Sequence, residues 1–345
     1  MQLSCDASPL SFPREYDEAK QVPGMAERVY EPGLVTVAVT THNRSDLLLR
    51  ALRSVLDQTF PRLQILVSDD ASTDATPRLM REIRDPRFTY LRIEKPTGIA
   101  GNFQNGLDHA RGELFMILND DDELEPDAIE QLSRPFWHPP SGIAGESVVL
   151  TWCPCKIQDA ERRVRYVTGA GPSAEPAIDL VTGLFDGTRG PRFCGLLMKT
   201  RNAVGVGFSR DHGGIPDVGL WTRIAARGGY ACCVPEPLAR YTAHNASCTG
   251  TSTARSWQLA GESIVRDLLR DLETSADSAN ARRIRRSQRN FITGLLATVL
   301  MQSSGRPGWT FRVAREFLRA PQYFLTRMTL RRLLLEGHKL LKKPA

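Results

Sequence analysis

The stretch FMILNDDDELEP, residues 115–126, is the most informative part of this chain. Its four apolar residues predict a buried strand, and three consecutive aspartates, Asp120 to Asp122, follow after Asn119. Adjacent carboxylates repel one another, and burial near a strand end strengthens the repulsion unless a cation neutralises it. Hard oxygen ligands favour Mg²⁺, Mn²⁺ or Ca²⁺ over zinc and commonly share the ion with water and substrate phosphates. The stretch predicts either an enzyme that handles a metal-chelated nucleotide diphosphate or a solvated acidic turn that caps the next helix.

Strand-like and helix-like segments alternate around this stretch. Apolar runs predict strands at residues 34–41, 63–68, 88–93 and 113–118, and helical spacing predicts helices at 45–58, 74–84 and 102–110, with another beginning at 127. Ser45 is the predicted N-cap of the first helix, and Asp74 begins the second. This alternation predicts βαβ units and a mainly parallel sheet. Ligands of such sheets bind at the carboxyl ends of the strands, where three polar clusters fall, at residues 41–44, 69–74 and 119–122.

After Pro139 the alternation weakens. Strands are predicted at residues 148–155, 163–167, 231–235 and 238–242, and a helix at 217–227. Stretches rich in Gly and Pro, at 169–176 and 187–195, predict loops. From Ser256 the chain is predicted to be helical, with breaks near 303–307 and Pro321.

Taken in order, these segments resemble the family 2 glycosyltransferases, a large inverting group with the GT-A fold. The resemblance covers roughly residues 34–247 and rests on blocks at residues 39–44, 66–74, 98–102, 110–113, 120–126, 216–221 and 237–244. It implies an α/β fold of GT-A type, in which a Rossmann-like, mainly parallel sheet is flanked by helices. The expected organisation is a loosely ordered leader at 1–32, a GT-A domain at 33–250 and a basic helical C-terminal region at 251–345. Within the GT-A domain, a nucleotide-binding half would cover about 33–135 and an acceptor half about 136–250.

The resemblance implies a nucleotide-sugar donor, linked to UDP, dTDP or GDP. The residues then expected at the donor are Thr41, Asn43, Arg44, Asp69, Asp70, Gly98, Asn102 and Asp120. Asp69 or Asp70 would accept a hydrogen bond from a ring N–H of the base, since a carboxylate offers two acceptor oxygens. A turn followed by a helix cap is the alternative for residues 69–72.

The aspartate triplet matches the family's metal motif, which implies that Asp121, Asp122 and His244 bind Mn²⁺ or Mg²⁺. Asn119 stands where the family usually has the first aspartate, so the roles within the triplet stay open. Many members also carry an arginine that reaches the donor from the segment equivalent to 101–105, and this chain has none there. A surface histidine in a polar loop is the alternative for His244.

Asp217 is the predicted catalytic base. The family commonly has Glu-Asp at this point, and here Pro216 replaces the glutamate. An acceptor hydroxyl becomes a good nucleophile only when a base takes its proton. The alternative is a helix N-terminal aspartate that favours the helix dipole. Trp221, four residues further along the helix, would stack on an acceptor sugar or pack in the core.

The charge of the chain is unevenly placed. Residues 281–345 hold fifteen Arg and Lys and two Glu, a net +13, so the rest of the chain carries −7 within the total of +6. Basic amphipathic helices at this end would dock on an anionic membrane, or would bury their apolar side on the catalytic domain. Nucleic acid is not expected as a partner, because no nucleic-acid-binding module is recognisable.

The cysteines favour a reducing environment. Seven are present, an odd number, without the spacing of a disulfide framework or of a regular zinc site. No signal peptide is recognisable at residues 1–30, and no apolar run is long enough to span a bilayer. The expected location is cytoplasmic, with peripheral binding to the inner face of the membrane as a further expectation.

The sequence therefore predicts a metal-dependent inverting glycosyltransferase that moves a sugar to a hydroxyl of a glycan or lipid-linked acceptor, in polysaccharide or surface-glycan synthesis. One alternative is a degenerate domain that serves as a scaffold without catalysis, which Asn119 and Pro216 favour. A second is a sugar nucleotidyltransferase, which would need a Gly-rich phosphate loop after the first strand. Residues 40–44 contain no glycine.

Overall fold

The computed structural model describes residues 28–244, 252–302, 315–316, 318–320 and 323. The strands are β1 (Glu31–Thr41), β2 (Leu63–Asp69), β3 (Phe88–Arg92), β4 (Gly112–Asn119), β5 (Glu123–Leu124), β6 (Val148–Trp152), β7 (Cys155–Gln158), β8 (Val164–Val167), β9 (Glu175–Pro176), β10 (Leu196–Lys199), β11 (Tyr230–Cys233) and β12 (Ala239–Thr242). The α-helices are α1 (Ser45–Leu56), α2 (Thr76–Met80), α3 (Gly98–Asp108), α4 (Ala128–Trp137), α5 (Ala177–Phe185), α6 (Thr200–Val206), α7 (Pro216–Ala226), α8 (Ala254–Thr274) and α9 (Ser278–Gln302).

The large sheet has eight strands in the order β3-β2-β1-β4-β10-β6-β11-β9. The strands β3, β2, β1 and β4 run parallel, and β2 is buried at every residue, as expected of a parallel strand that is covered on both faces. Their register pairs Thr41 with Asp69 and Thr40 with Asn119, so the ends of β1, β2 and β4 meet at one edge. The predicted α/β fold with a mainly parallel sheet is confirmed, and the three polar clusters converge.

A second, smaller sheet lies beside that edge. Its order is β5-β12-β7-β8, with β12 antiparallel to β5 and parallel to β7. The single strand predicted at 148–155 is wrong, because the chain leaves the large sheet after Trp152 and enters the small sheet at Cys155. Pro154 lies at this break, outside both strands, so its lack of a backbone N–H interrupts the hydrogen bonding of neither sheet.

The helix ends differ from prediction at two residues. Arg44 occupies the N-cap position of α1, so the predicted cap at Ser45 is wrong. Asp74 instead supplies both caps: its Oδ2 accepts from the Ser45 amide and its Oδ1 from the Thr76 amide, each at 2.9 Å. One carboxylate therefore ties the start of α1 to the start of α2.

Three elements that the sequence pattern did not indicate follow the first predicted loop. Helix α5, which is apolar on nearly every side, lies between the two loops, and β10 and α6 come after the second one. Strand β10 joins the parallel half of the sheet to the rest, since it pairs antiparallel with both β4 and β6.

Helices α8 and α9 pack on the same core as the large sheet. Buried Trp257, Ile264 and Phe291 belong to one apolar cluster with Leu150 and Trp152 of β6. The Phe291 ring stacks on Phe185 of α5, with centroids 4.2 Å apart. These two helices therefore bury their apolar side against β6 and α5.

Two polar contacts fix α8 on the segment around α7. Arg223 binds Asp271 through Nε and Nη2 at 2.7 and 3.1 Å, and His212 Nε2 lies 3.0 Å from Asp267. Thr253 begins α8 as one half of a capping box with Ser256. Helix α8 is thus held at its start and along its length.

Within the described residues, none of the helices combines the length and hydrophobicity that crossing a membrane requires. Most of the predicted leader and most of the predicted basic stretch after Gln302 lie outside the described residues.

We expect Asp271→Asn to lower the free energy of unfolding by about 1–3 kcal/mol, because it removes the charged acceptor of a half-buried, two-point contact with Arg223. Chemical denaturation measures this loss. Glu82→Gln is the matched control, because it breaks an exposed ion pair with Arg78 that is worth about 0.5 kcal/mol or less. Equal losses in the two variants would contradict a structural role for the α7–α8 contact.

Candidate functional site

A cleft of about 940 Å³ opens where β1, β2 and β4 end. Its lining includes nine of the predicted site residues: Thr41, Arg44, Asp70, Gly98, Asn102, Asp120, Asp121, Asp122 and Asp217. Asn43, Asp69, Trp221 and His244 are outside the lining. The cleft thus brings together carboxylates from the two halves of the predicted domain.

The loop after β1 serves two purposes. Thr41 Oγ1 donates to Asp120 Oδ2 at 2.7 Å, and Arg44 Nη1 lies 3.1 Å from Asp120 and 2.8 Å from Asp121. Asn43, with a left-handed φ of 55°, turns its side chain to the neighbouring loop and accepts from the Thr73 amide. Thr41 and Arg44 therefore face the cleft, whereas Asn43 fastens the loop.

The structure separates Asp69 from Asp70. Asp69 is fully buried at the end of β2 and accepts from the Tyr90 hydroxyl at 2.5 Å and from the Ser72 amide. Asp70 lines the cleft and accepts from the amides of Thr97 and Gly98. Of the two carboxylates, Asp70 is the one placed at the cleft.

Two further residues shape this corner of the cleft. Gly98 has φ +77°, and no heavy atom lies within 4 Å of where a Cβ would stand. Asn102 on α3 donates to the Thr41 carbonyl and accepts from Ser68 Oγ at 2.6 Å. Asn102 thereby holds the ends of β1 and β2 together beneath the cleft.

The three aspartates have different surroundings. Burial raises the pKa of Asp120 to about 7, although Arg44 opposes the shift. Burial also opposes ionisation of Asp121, but hydrogen bonding from His244 and the charge of Arg44 hold its pKa below the ordinary value. Asp121 is therefore the member of the triplet whose surroundings most favour the charged form.

Asp122 lies deeper than its neighbours. Its Oδ1 accepts from the Thr242 amide of β12 at 3.0 Å, and Oδ2 has no hydrogen-bond partner among the described residues. Burial, and then the charge of Asp121, raise its pKa well above the ordinary value. Asp122 thus fixes the strand that leads to His244, whose Nε2 lies 2.9 Å from Asp121 Oδ2.

The donor atoms at this point suit a hard divalent cation that is shared with a substrate. Asp121 supplies a carboxylate, a ligand that suits manganese and magnesium, and the His244 imidazole faces it at 2.9 Å. Across the described ranges no group of three or more His, Cys, Asp or Glu side chains could hold a metal by itself. An ion held at Asp121 would therefore need further ligands from substrate and water.

Asp217 occupies the first turn of α7 and faces the cleft. Burial raises the pKa of its carboxyl to about 6, while the backbone amides of the helix start and the charge of Arg192 act in the opposite direction. Pro216 precedes it at the first helical position, where proline is well tolerated. Replacement of the family's glutamate therefore leaves the helix start intact.

Trp221 lies in the core rather than at the cleft. It is 2% exposed and packs within the cluster that holds α7, α8 and the large sheet together. Of the two roles considered for this residue, its position matches core packing.

Sequence reasoning missed three parts of the cleft wall. The loop at 187–193 contributes Arg189 and Arg192, the hairpin β7–β8 contributes Tyr166, and α8 and α9 contribute Trp257 and Phe291. The Gly- and Pro-rich composition of the loop was the available signal, because such loops often carry functional side chains.

Comparison with known proteins finds similarity to glycosyltransferases. Residues 36–162 match the model of "Glycosyl transferase family 2". Over 103 residues the chain is 42% identical to the GalNAc(5)-diNAcBac-PP-undecaprenol beta-1,3-glucosyltransferase of Campylobacter jejuni. The aligned region covers 29% of this chain and 33% of that protein. The chain thus matches about a third of the length of this curated relative.

Two solved structures share the fold. S. aureus TarS 1-349 in complex with UDP-GlcNAc aligns with a TM-score of 0.59 at 16% identity, over 84% of this chain and 78% of that one. The mannosyltransferase PcManGT from Pyrobaculum calidifontis, in complex with GDP-Man and Mn²⁺, aligns with a TM-score of 0.50 at 19% identity, over 89% and 87%. At these identities the likeness concerns the fold.

Proposed function

Since the chain belongs to glycosyltransferase family 2 and has the GT-A fold, we propose that it is a metal-dependent inverting transferase acting on a nucleotide-diphosphate sugar. The observation that carries the proposal is the position of Asp217, a carboxyl with a raised pKa that faces the same cleft as Asp70 and Asp121. The acceptor would be a hydroxyl of a glycan or lipid-linked glycan, in polysaccharide synthesis. Family membership favours this reading over a sugar nucleotidyltransferase.

The nucleotide would occupy the corner formed by the ends of β1 and β2. We propose that Asp70 accepts from the base and that Thr41 and Asp120 approach the ribose, because these side chains line the cleft. Asp69 and Asn102 would act as positioning residues, since each is buried and bonded to the strand ends. UDP, dTDP and GDP remain the candidate donors, in line with the UDP-GlcNAc and GDP-Man bound by the two structural neighbours.

We propose that Asp121 and His244 hold Mn²⁺ or Mg²⁺ together with the diphosphate. When bound, the ion would neutralise charge that develops on the leaving diphosphate. Arg44 would add a positive charge at the same place, given its contacts with Asp120 and Asp121. Asp122 would act through Thr242, by holding β12 so that His244 reaches Asp121.

The chemistry assigned to the chain's own residues is a single displacement. Asp217 would remove the proton from the acceptor hydroxyl as its oxygen bonds to the anomeric carbon on the face opposite the diphosphate. The bond from that carbon to the diphosphate breaks, its electron pair leaves with the diphosphate, and the anomeric configuration inverts. A carboxylate with a pKa near 6 is ionised at neutral pH and is a stronger base than an ordinary aspartate.

A cytoplasmic, membrane-peripheral location is also proposed. All five cysteines in the described part of the chain are free and buried, which suits a reducing compartment. Exposed arginines on α8 and α9, among them Arg266, Arg282, Arg286 and Arg289, give the outer side of these helices a positive charge. Anionic lipid headgroups would complement that charge.

The proposal is tested by binding and hydrolysis of UDP, dTDP and GDP sugars with Mn²⁺, with Mg²⁺ and with chelator. We expect turnover of one donor, loss of turnover in chelator, and the same loss in Asp121→Ala. Absence of binding to every donor with either metal would contradict the proposal and favour a scaffold without catalysis.

Asp217→Asn is expected to lower the rate of sugar transfer by about 10²- to 10⁴-fold, because it removes the base. Donor affinity, measured by calorimetric titration, should stay unchanged. Asp211→Asn is the matched control, since Asp211 is exposed and lies in the turn before α7. Full activity of Asp217→Asn would contradict the assignment of Asp217 as the base.

The pH dependence follows from the raised pKa of Asp217. The carboxyl is protonated below about pH 6 and cannot accept a proton, so kcat/KM should fall about tenfold per pH unit there and level off above it. The measurement is kcat/KM from pH 4.5 to 8 with Mg²⁺ at saturation. A flat profile across pH 6 would argue against Asp217 as the base.

Gly98→Ala and Gly142→Ala form a pair that separates strain from function. Both glycines have positive φ, +77° and +83°, and neither has a heavy atom within 4 Å of a new Cβ. Each substitution should cost about 1–2 kcal/mol of stability. Only Gly98→Ala should also weaken donor binding, since the Gly98 amide donates to Asp70 at the cleft. Equal donor affinity in both variants would remove Gly98 from the donor site.

A further inference from the structure

Three side chains form a row across the small sheet. The register pairs Tyr241 of β12 with Ile157 of β7, and Ile157 with Tyr166 of β8. All three line the cleft. Adjacent strands lie about 4.8 Å apart, so the row extends over about 10 Å. This Tyr241–Ile157–Tyr166 row therefore forms an elongated platform in the cleft wall.

The outer end of the row is its most exposed part, whereas Tyr241, at the inner end, is partly buried. Ile157, in the middle, is 5% exposed, whereas Tyr166, at the outer end, is 55% exposed. An aromatic ring left open to water at a cleft marks a surface that a ligand can cover with a gain in free energy.

The inner end of the row lies at Arg192. The Arg192 guanidinium carbon lies 5.3 Å from the centroid of the Tyr241 ring. The charge of the same arginine acts on Asp217. Tyr241, Arg192 and Asp217 therefore line one cleft, and the row leads from Tyr241 to Tyr166, which is open to water.

Charges around the outer end are paired. Arg162 contacts Glu123 at 2.7 Å, and Arg163 and Arg165 both contact Asp159, at 3.1 and 2.5 Å. Because these cations are neutralised by neighbouring carboxylates, the hairpin lacks the free positive charge that would attract an anionic bilayer.

We propose that the Tyr241–Ile157–Tyr166 row binds the saccharide part of the acceptor, with the reacting hydroxyl at the Asp217 end and the rest of the glycan leaving past Tyr166. Sugar rings have C–H groups on their faces and hydroxyls at their edges, which match an aromatic face with a hydroxyl at its rim. This inference rests on the proposed function and specifies the acceptor as a glycan of more than one sugar.

Saturation-transfer NMR on the full chain tests the platform, with methyl and hexyl β-glucosides, β-galactosides and N-acetyl-β-glucosaminides as probes. We expect transfer to ring protons of at least one methyl glycoside. Tyr166→Ala should weaken its affinity by about two- to tenfold. Tyr166→Phe keeps the ring and should match the wild type. Val167→Ala is the same-strand control, because Val167 is 49% exposed and lies outside the cleft lining.

Three results would overturn the platform: equal affinity in Tyr166→Ala and wild type, no transfer to the ring protons of any probe, or transfer confined to hexyl chains and lost in both Tyr166→Ala and Val167→Ala. The last would assign the hairpin to lipid. Donor titration on the same samples separates this inference from the proposed function. Donor turnover with any of these three results refutes the platform alone, whereas absence of donor binding refutes the proposed function.

Discussion

The burial of three consecutive carboxylates at the end of β4 is the constraint on which the site depends. Adjacent buried charges are unfavourable, and each aspartate is compensated by its own combination of partners. Asp120 takes Thr41 and Arg44, Asp121 takes Arg44 and His244, and Asp122 takes the amide of Thr242. These partners come from the ends of β1 and β12, so neutralising the triplet also joins the large sheet to the small one.

Much of the first half of the fold was predictable because its signals are local. Buried strands of a parallel sheet are continuous apolar runs, and α1 has a clear apolar face, so β1, β2, β4 and α1 could be placed within a few residues. Helix α5 carried no such signal, because it is buried on nearly all sides and shows no polar face. The break at Pro154 depended on which sheet each strand joins, and that is a long-range property.

In the candidate site, too, local features could be predicted from the sequence and long-range ones could not. The sequence could locate the carboxylates, since runs of acidic residues after strands are visible in one dimension. It could not choose between Asp69 and Asp70, because the choice depends on where β2 stops and whether the side chain points into the core. The sequence placed Trp221 on the same helix face as Asp217. One turn of helix is about 5.4 Å long, and at that distance from Asp217 the indole lies in the core and not at the cleft. The aromatic residue that is open at the cleft, Tyr166, came from a hairpin with no helical periodicity to indicate it.

Strand β12 has a consequence for how the molecule forms. It lies between β5 and β7, and its contact with Asp122 joins residues 120 positions apart along the chain. Loops of that length close slowly, so the order of synthesis matters. Residues 36–162, the part that matches the family model, are synthesised before β12 and Asp217. Until β12 arrives, β5 and β7 present unpaired edges that can join other chains. The stretch that matches the family model therefore contains strand edges that only a later part of the chain covers.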